Sequence, residues 1–172
     1  MSWLSKLLGY VPAEERKGIS LGQVPHWKVG YVKDFPAFLR ALVDLVPSGS
    51  ILYIEGGGNP PKEIISYLEE RAARKTSKVA MGTIWPRPRC DHMQITKENL
   101  EGLANLAEMH AELKPAVHLH VYKDNKVLLQ WYDAFFDDPF YVSKEIPEKR
   151  LIEFCDRLGT KYEKDIEDAK HM

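Results

Sequence analysis

Apolar residues recur along this chain at two periods, one helical and one alternating, and the switches between them define its predicted elements. From Asp34 to Val46, Phe35, Phe38, Leu39, Leu42 and Leu45 return at helical spacing. Asp34 is placed to cap that helix, and Pro36 falls in its first turn, where no intrahelical N–H is missed. Pro47-Ser-Gly-Ser stops it, and Ile51-Leu-Tyr-Ile follows as a short apolar strand. A second helix carries Ile64, Ile65, Leu68 and Ala72 inward, with Asn59 as its cap and Pro60 and Pro61 in the opening turn. Strands are predicted over 79–84 and around 92–95, on either side of the proline-broken loop Pro86-Arg-Pro-Arg. Thr96 caps a third helix whose inner side holds Leu100, Leu103, Leu106, Ala107 and His110.

The segments 116–122 and 127–132 are both strand-like and are joined by Lys-Asp-Asn-Lys, the strongest hairpin signal in the chain. A two-residue turn at Asp124-Asn125, both tolerant of positive φ, pairs Tyr122 with Val127, His120 with Leu129 and His118 with Trp131. That register puts both imidazoles and the indole of Trp131 on one face. Both faces of the ribbon are largely apolar, so it is expected inside the sheet and covered on both sides. A short strand near 140–143 follows. A last helix then opens at Pro147, turns Leu151, Phe154, Cys155 and Leu158 inward, and ends at Gly159.

This order predicts an α+β fold: a mixed, largely antiparallel sheet of about five or six strands with helices packed against it. The poorly periodic residues 1–33 are expected to form an irregular N-terminal arm, 34–160 a single α+β domain, and 161–172 a charged C-terminal tail. Trp3, Leu4, Leu7 and Leu8 share a face of a possible two-turn helix. With one lysine beside them, they are read as a frayed end or a short helix packed on the domain, not as a lipid anchor.

Composition narrows the function classes. With 44% hydrophobic and 28% charged residues, the 172-residue chain is globular and long enough to build a core without disulfides or metal. The formal net charge of −1 gives no field toward nucleic acid or an anionic membrane. Two cysteines cannot make a secreted disulfide framework, and no stretch approaches a membrane span. A soluble cytoplasmic protein is the expectation. The alpha+beta domain is expected to bind another protein, with no nucleic acid and no membrane span. Self-association and any cofactor are left open.

Three sets of residues invite chemistry. Histidines two apart on a strand point the same way, so His118 and His120, with Cys90 and His92 at the same spacing, compose a candidate Cys-His₃ zinc site. The commoner fate of such histidines is to be satisfied by hydrogen bonds. Gly56-Gly57-Gly58-Asn59, between strand and helix and followed by Lys62, is a candidate cradle for a phosphate or nucleotide. The run matches no phosphate-loop motif, its prolines remove donors, and a tight turn is the simpler account. Asp133, Asp137 and Asp138, near the histidines, offer acid–base chemistry but equally a turn. Cys90, beside Arg89, is a candidate for a lowered thiol pKa. Finally, Trp131, Asp137 and Asp138 in an aromatic and acidic segment, with Trp85 and Arg87 in the proline loop, form a candidate protein-docking surface. No catalytic signature stands above its simpler explanation. The leading expectation is a small non-catalytic protein-binding module using the region 131–141. The alternatives are an enzyme or small-ligand binder at the glycine turn, and a zinc protein.

Overall fold

In the computed structural model, the described residues are 9–22, 24–56, 60–110 and 118–164. The sheet is seven-stranded and every strand pair is antiparallel. Its strands are β1 (His26–Val29), β2 (Ile51–Gly56), β3 (Arg89–Gln94), β4 (His118–Lys123), β5 (Lys126–Trp131), β6 (Phe140–Ser143) and β7 (Tyr162–Lys164). They lie in the order β3-β2-β4-β5-β6-β1-β7. The helices are α1 (Ala13–Arg16), α2 (Phe35–Leu45), α3 (Lys62–Glu70), α4 (Lys97–Met109) and α5 (Glu148–Leu158). None of the described helices is long and apolar enough to cross a membrane.

The α+β expectation holds, with more strands than the five or six expected. The extra ones, β1 and β7, come from the supposed arm and tail. His-Trp-Lys-Val and Tyr-Glu-Lys are too short to show a period; they become strands because β6, β1 and β7 offer one another backbone partners. The reverse happens over 79–84. That stretch is no strand of the sheet, and its one bridge, Ile19 to Val79, is made to the N-terminal arm.

Helix boundaries follow local chemistry. The Asp34 carboxylate accepts from the Ala37 N–H, and the Thr96 hydroxyl accepts from the Asn99 N–H. Gly159 ends α5 with a left-handed φ of 63°. Pro60 and Pro61 precede α3, which starts at Lys62, so they do not sit inside its first turn.

One face of the sheet is the main core, on which α2 packs between α4 and α5. Phe38 on α2 and Trp131 on β5 are fully buried there, their ring centroids 5.3 Å apart, with Phe135, Phe140 and Phe154 around them. The opposite face is covered by the arm and by the 79–84 segment, the strap. Ile19 N–H donates to Lys78 O at 2.8 Å, Ala80 N–H to Ile19 O at 2.9 Å, and Met81 N–H to Arg16 O at 3.0 Å. Gly18 is required by this contact, because a Cβ there would lie 2.4 Å from the Lys78 carbonyl oxygen. A smaller apolar cluster of Leu21, Ile51, Tyr53, Val79, Tyr122 and Val127 fills the layer.

The hairpin forms, but its faces are not as predicted. Tyr122 does pair with Val127; beyond it Val121 pairs with Leu129 and Leu119 with Trp131, so Leu128 is an extra, bulged residue. One inserted residue reverses the alternation of the rest of β5. Trp131 therefore enters the helix-covered core, while Gln130 and Tyr132 join His118 and His120 on the strap-covered face. Only Asp124 of the two turn residues is left-handed (φ 52°).

Candidate functional site

Across β3, β2 and β4, antiparallel pairing aligns two rows of side chains. Cys90, Glu55 and His118 form one row, and His92, Tyr53 and His120 form the other. The pairing thus brings all four candidate zinc ligands to one face. It also places Glu55 and Tyr53 of the central strand between them.

Glu55 is fully buried. A carboxylate has only acceptors to offer, and this one is surrounded by donors. The N–H of Thr83 donates to Oε1 at 2.6 Å, the N–H of Gly82 to Oε2 at 3.1 Å, and the Tyr53 hydroxyl to Oε2 at 3.0 Å. Nε2 of His118 stands 4.0 Å from Oε1. The Asp133 N–H donates to His118 Nδ1 at 2.9 Å, so the ring in its neutral form carries its proton on Nε2. Gly82 closes the arrangement. A Cβ at this position would lie 2.4 Å from His118 Nε2 and 2.9 Å from Tyr132 Cδ1. Because the Asp133 N–H fixes the His118 ring, Gly82→Ala is expected to destabilise by about 1–3 kcal/mol. A urea titration checks this, and a midpoint equal to that of the parent would show that the strap gives way at no cost.

His120 is 1% exposed, and neither ring nitrogen has a hydrogen-bond partner. It stacks on Tyr53 (centroids 5.6 Å apart, planes within 13°) and meets the edge of Tyr132 at 5.0 Å. Burial, with a smaller contribution from His118, pushes its pKa down to about 3. His92 shares its Nδ1 with the Tyr122 hydroxyl at 3.0 Å, and burial, aided by Lys75, takes it down to about 4. Burial also lowers His118, against the opposing pull of Glu55 and Asp133. Thr83 Oγ1 is a further buried atom without a partner.

The four candidate zinc ligands share this face without forming a metal-holding group. Among the described residues no group of three or more His, Cys, Asp or Glu side chains is arranged to hold a metal ion. His118 has its Nδ1 lone pair on the Asp133 N–H and its proton on Nε2, which leaves it no ligating atom. The expected lowering of the Cys90 thiol is also overturned. Burial raises it, and the nearby carboxylates of Glu55 and Asp91 add to the rise against the Tyr53 hydroxyl, 3.3 Å from Sγ. Arg89 does not serve the thiol, since its guanidinium is engaged by Asp91 and Glu69.

At the glycine turn, Gly56 ends β2 and pairs with Arg89, and Lys62 begins α3. Gly57, Gly58 and Asn59 lie outside the described residues. Of the docking candidates, Trp131 is corrected. It is 0% exposed, its Nε1–H donates to the Asp138 carbonyl at 3.2 Å, and no partner can reach it. Asp137 and Asp138 are exposed. Trp85 is 59% exposed, and Arg87 pairs with Glu15 at 2.9 Å.

Glu55, Tyr53, Tyr132, Gly82 and Thr83 hold this face together, and none was singled out as functional from the sequence. The one available signal was an acid closing the apolar run Ile51-Leu-Tyr-Ile in a strand covered on both sides. The fold and the site thus define an α+β protein with a wholly antiparallel sheet, a main apolar core on one face, and a smaller apolar cluster beside buried polar groups on the other. Compared with known protein families, curated proteins and solved structures, the chain matches none.

Proposed function

We propose that the protein is a binding module that presents the 132–139 loop, acidic and aromatic, to a basic protein partner. The backbone of that loop is the observation that carries this reading. Three non-glycine residues within it, Asp133 (φ 48°), Phe135 (φ 68°) and Asp137 (φ 31°), are left-handed. Each such residue costs about 1–3 kcal/mol and persists only where its surroundings hold it.

Here the holding groups are identifiable. Phe135 is buried against Phe35, Phe38 and Trp131, with centroids 4.9, 5.9 and 4.2 Å away. Trp131 Nε1–H ties down the Asp138 carbonyl, and the Asp133 N–H is tied to His118. Above these anchors Phe136 is 53% exposed, with Asp133, Asp137 and Asp138 exposed around it. An aromatic side chain ringed by acids on a preorganised loop loses little entropy on binding and favours a positively charged surface. Catalysis is less well supported. Glu55 and the lone pair of His118, the natural acid–base groups, are already engaged in holding the fold.

The test is capture of partners from the native host on immobilised protein, followed by affinity measurement with the purified partner. Combining Phe136→Ser, Asp137→Asn and Asp138→Asn is expected to weaken binding about hundredfold and leave the unfolding midpoint unchanged. A captured set and affinity that the triple variant retains would overturn the reading.

A further inference from the structure

The strap and the arm are bonded to each other along their length, through Val11 to Ile84, Arg16 to Met81 and Ile19 to Lys78 and Ala80. Residues 82 and 83 are held to the sheet differently: both of their N–H groups end on the one carboxylate of Glu55. Directly beneath lie two buried histidines on β4. His118 is in contact with Gly82, and His120 has no partner for either nitrogen.

We propose that the 79–84 strap is an acid-released cover, which lifts from the sheet when the buried histidines take up protons and exposes the Tyr53–His120–Tyr132 face. The device does not rest on the binding role proposed above, although His118 also accepts from the Asp133 N–H of that loop. A proton on His120 would create an imidazolium at 1% exposure with no acceptor within hydrogen-bond reach. Such a charge must gain water or be expelled. The layer that can move without breaking a strand ladder is the strap, because its hold at 82 and 83 is a side chain.

The charged and titratable groups around the pair are few. From β2 come Glu55 and Tyr53; from β3, Cys90, Asp91 and His92; from β4, Tyr122. Tyr132 and Asp133 face it from the end of β5, and Lys75 acts on His92 and Cys90 from the segment before the strap. Glu55 is the one acid lying within the layer. Its opposing pull is felt by His118 and leaves a proton on His120 without a counter-charge.

The linkage has a definite sign. The unfolded or opened chain binds protons near pH 6.5, whereas folded His92 and His120 do so only near about 4 and 3. Closure is therefore fully favoured above about pH 6.5 and loses about 1.4 kcal/mol per pH unit for each of these groups as pH falls toward 4.

Amide hydrogen exchange on the full chain, corrected for intrinsic rates, reads the opening directly. Between neutral pH and about pH 5, peptides covering 79–84 and 11–21 are expected to lose protection about tenfold or more while α2 and α4 keep theirs. In His120→Phe, which cannot titrate, strap protection should persist to a lower pH. Should that variant fail to fold, ring NMR of the parent decides, with the His120 titration and strap opening expected at one midpoint. Loss of protection in the strap together with α2 and α4, an unchanged opening pH in His120→Phe, or titration of His120 without opening would each overturn the proposal.

Discussion

Glu55→Ala is expected to lower the free energy of unfolding by about 3–5 kcal/mol, one of the two largest single-site effects in this protein. The substitution strips the acceptor from the N–H groups of Gly82 and Thr83 at once and leaves Tyr53 Oη only the Cys90 sulfur, 3.3 Å away. Each buried donor left without a partner costs about 1–3 kcal/mol, reduced where water can enter. Buried charges can sometimes be exchanged for apolar side chains without loss, but only when their partners are exchanged as well. Two of the partners here are backbone, so that route is closed. Glu55→Gln keeps one carbonyl acceptor while adding an NH₂ among donors, and should cost about half as much. Urea unfolding with an unchanged m-value is the measurement. A cost of less than about 1 kcal/mol for alanine would show that the carboxylate does not hold the strap.

The other large effect is expected at Trp131. Its indole is fully buried, 4.2 Å from the Phe135 ring centroid, 4.9 Å from that of Phe140 and 5.3 Å from that of Phe38. Trp131→Ala opens a cavity that these neighbours cannot fill, for a loss of about 3–5 kcal/mol. The consequence reaches function, because the same indole ties the Asp138 carbonyl and supports Phe135, so the left-handed loop loses its anchors. Partner binding should therefore weaken in Trp131→Ala although no partner touches residue 131. Trp131→Phe keeps most of the packing and loses the Nε1–H bond, so it should separate the two effects: near-parental core stability with a looser loop. Thermal unfolding and the purified-partner affinity, measured together on both variants, test this. Undiminished affinity in Trp131→Ala would mean that the loop holds its shape without the indole.

The bulge at Leu128 explains why this residue changes role between sequence and structure. Alternation across a perfect two-residue hairpin puts Trp131 beside the histidines, and nothing local contradicts that. The extra residue is selected from outside the hairpin. Trp131 is received by Phe38 on α2, and Gln130 is received by the Leu21 N–H at 2.9 Å. Both side chains find their partners only if the strand turns over between Val127 and Leu129. The failed strand at 79–84 has a similar origin. Its apolar pattern is real, since Val79 is buried, but it covers a sheet instead of extending one.

Helical periodicity, the Asp34, Thr96 and Gly159 caps and the 118–131 hairpin were all legible in the sequence, because each depends on residues a few positions apart. So was the shared direction of each pair, Cys90 with His92 and His118 with His120, although nothing in the sequence brought the two strands together. What the four do was decided by Glu55 and Tyr53 arriving between them from β2, many residues away in the chain. They interleave the four side chains with a carboxylate that holds the strap and a phenol that stacks on His120. Periodicity is a property of neighbours along the backbone, and the amino-acid order alone settles it. Strand order, the bulge, the two edge strands and the proton positions on His118 depend on contacts between distant segments, and only the assembled sheet determines them.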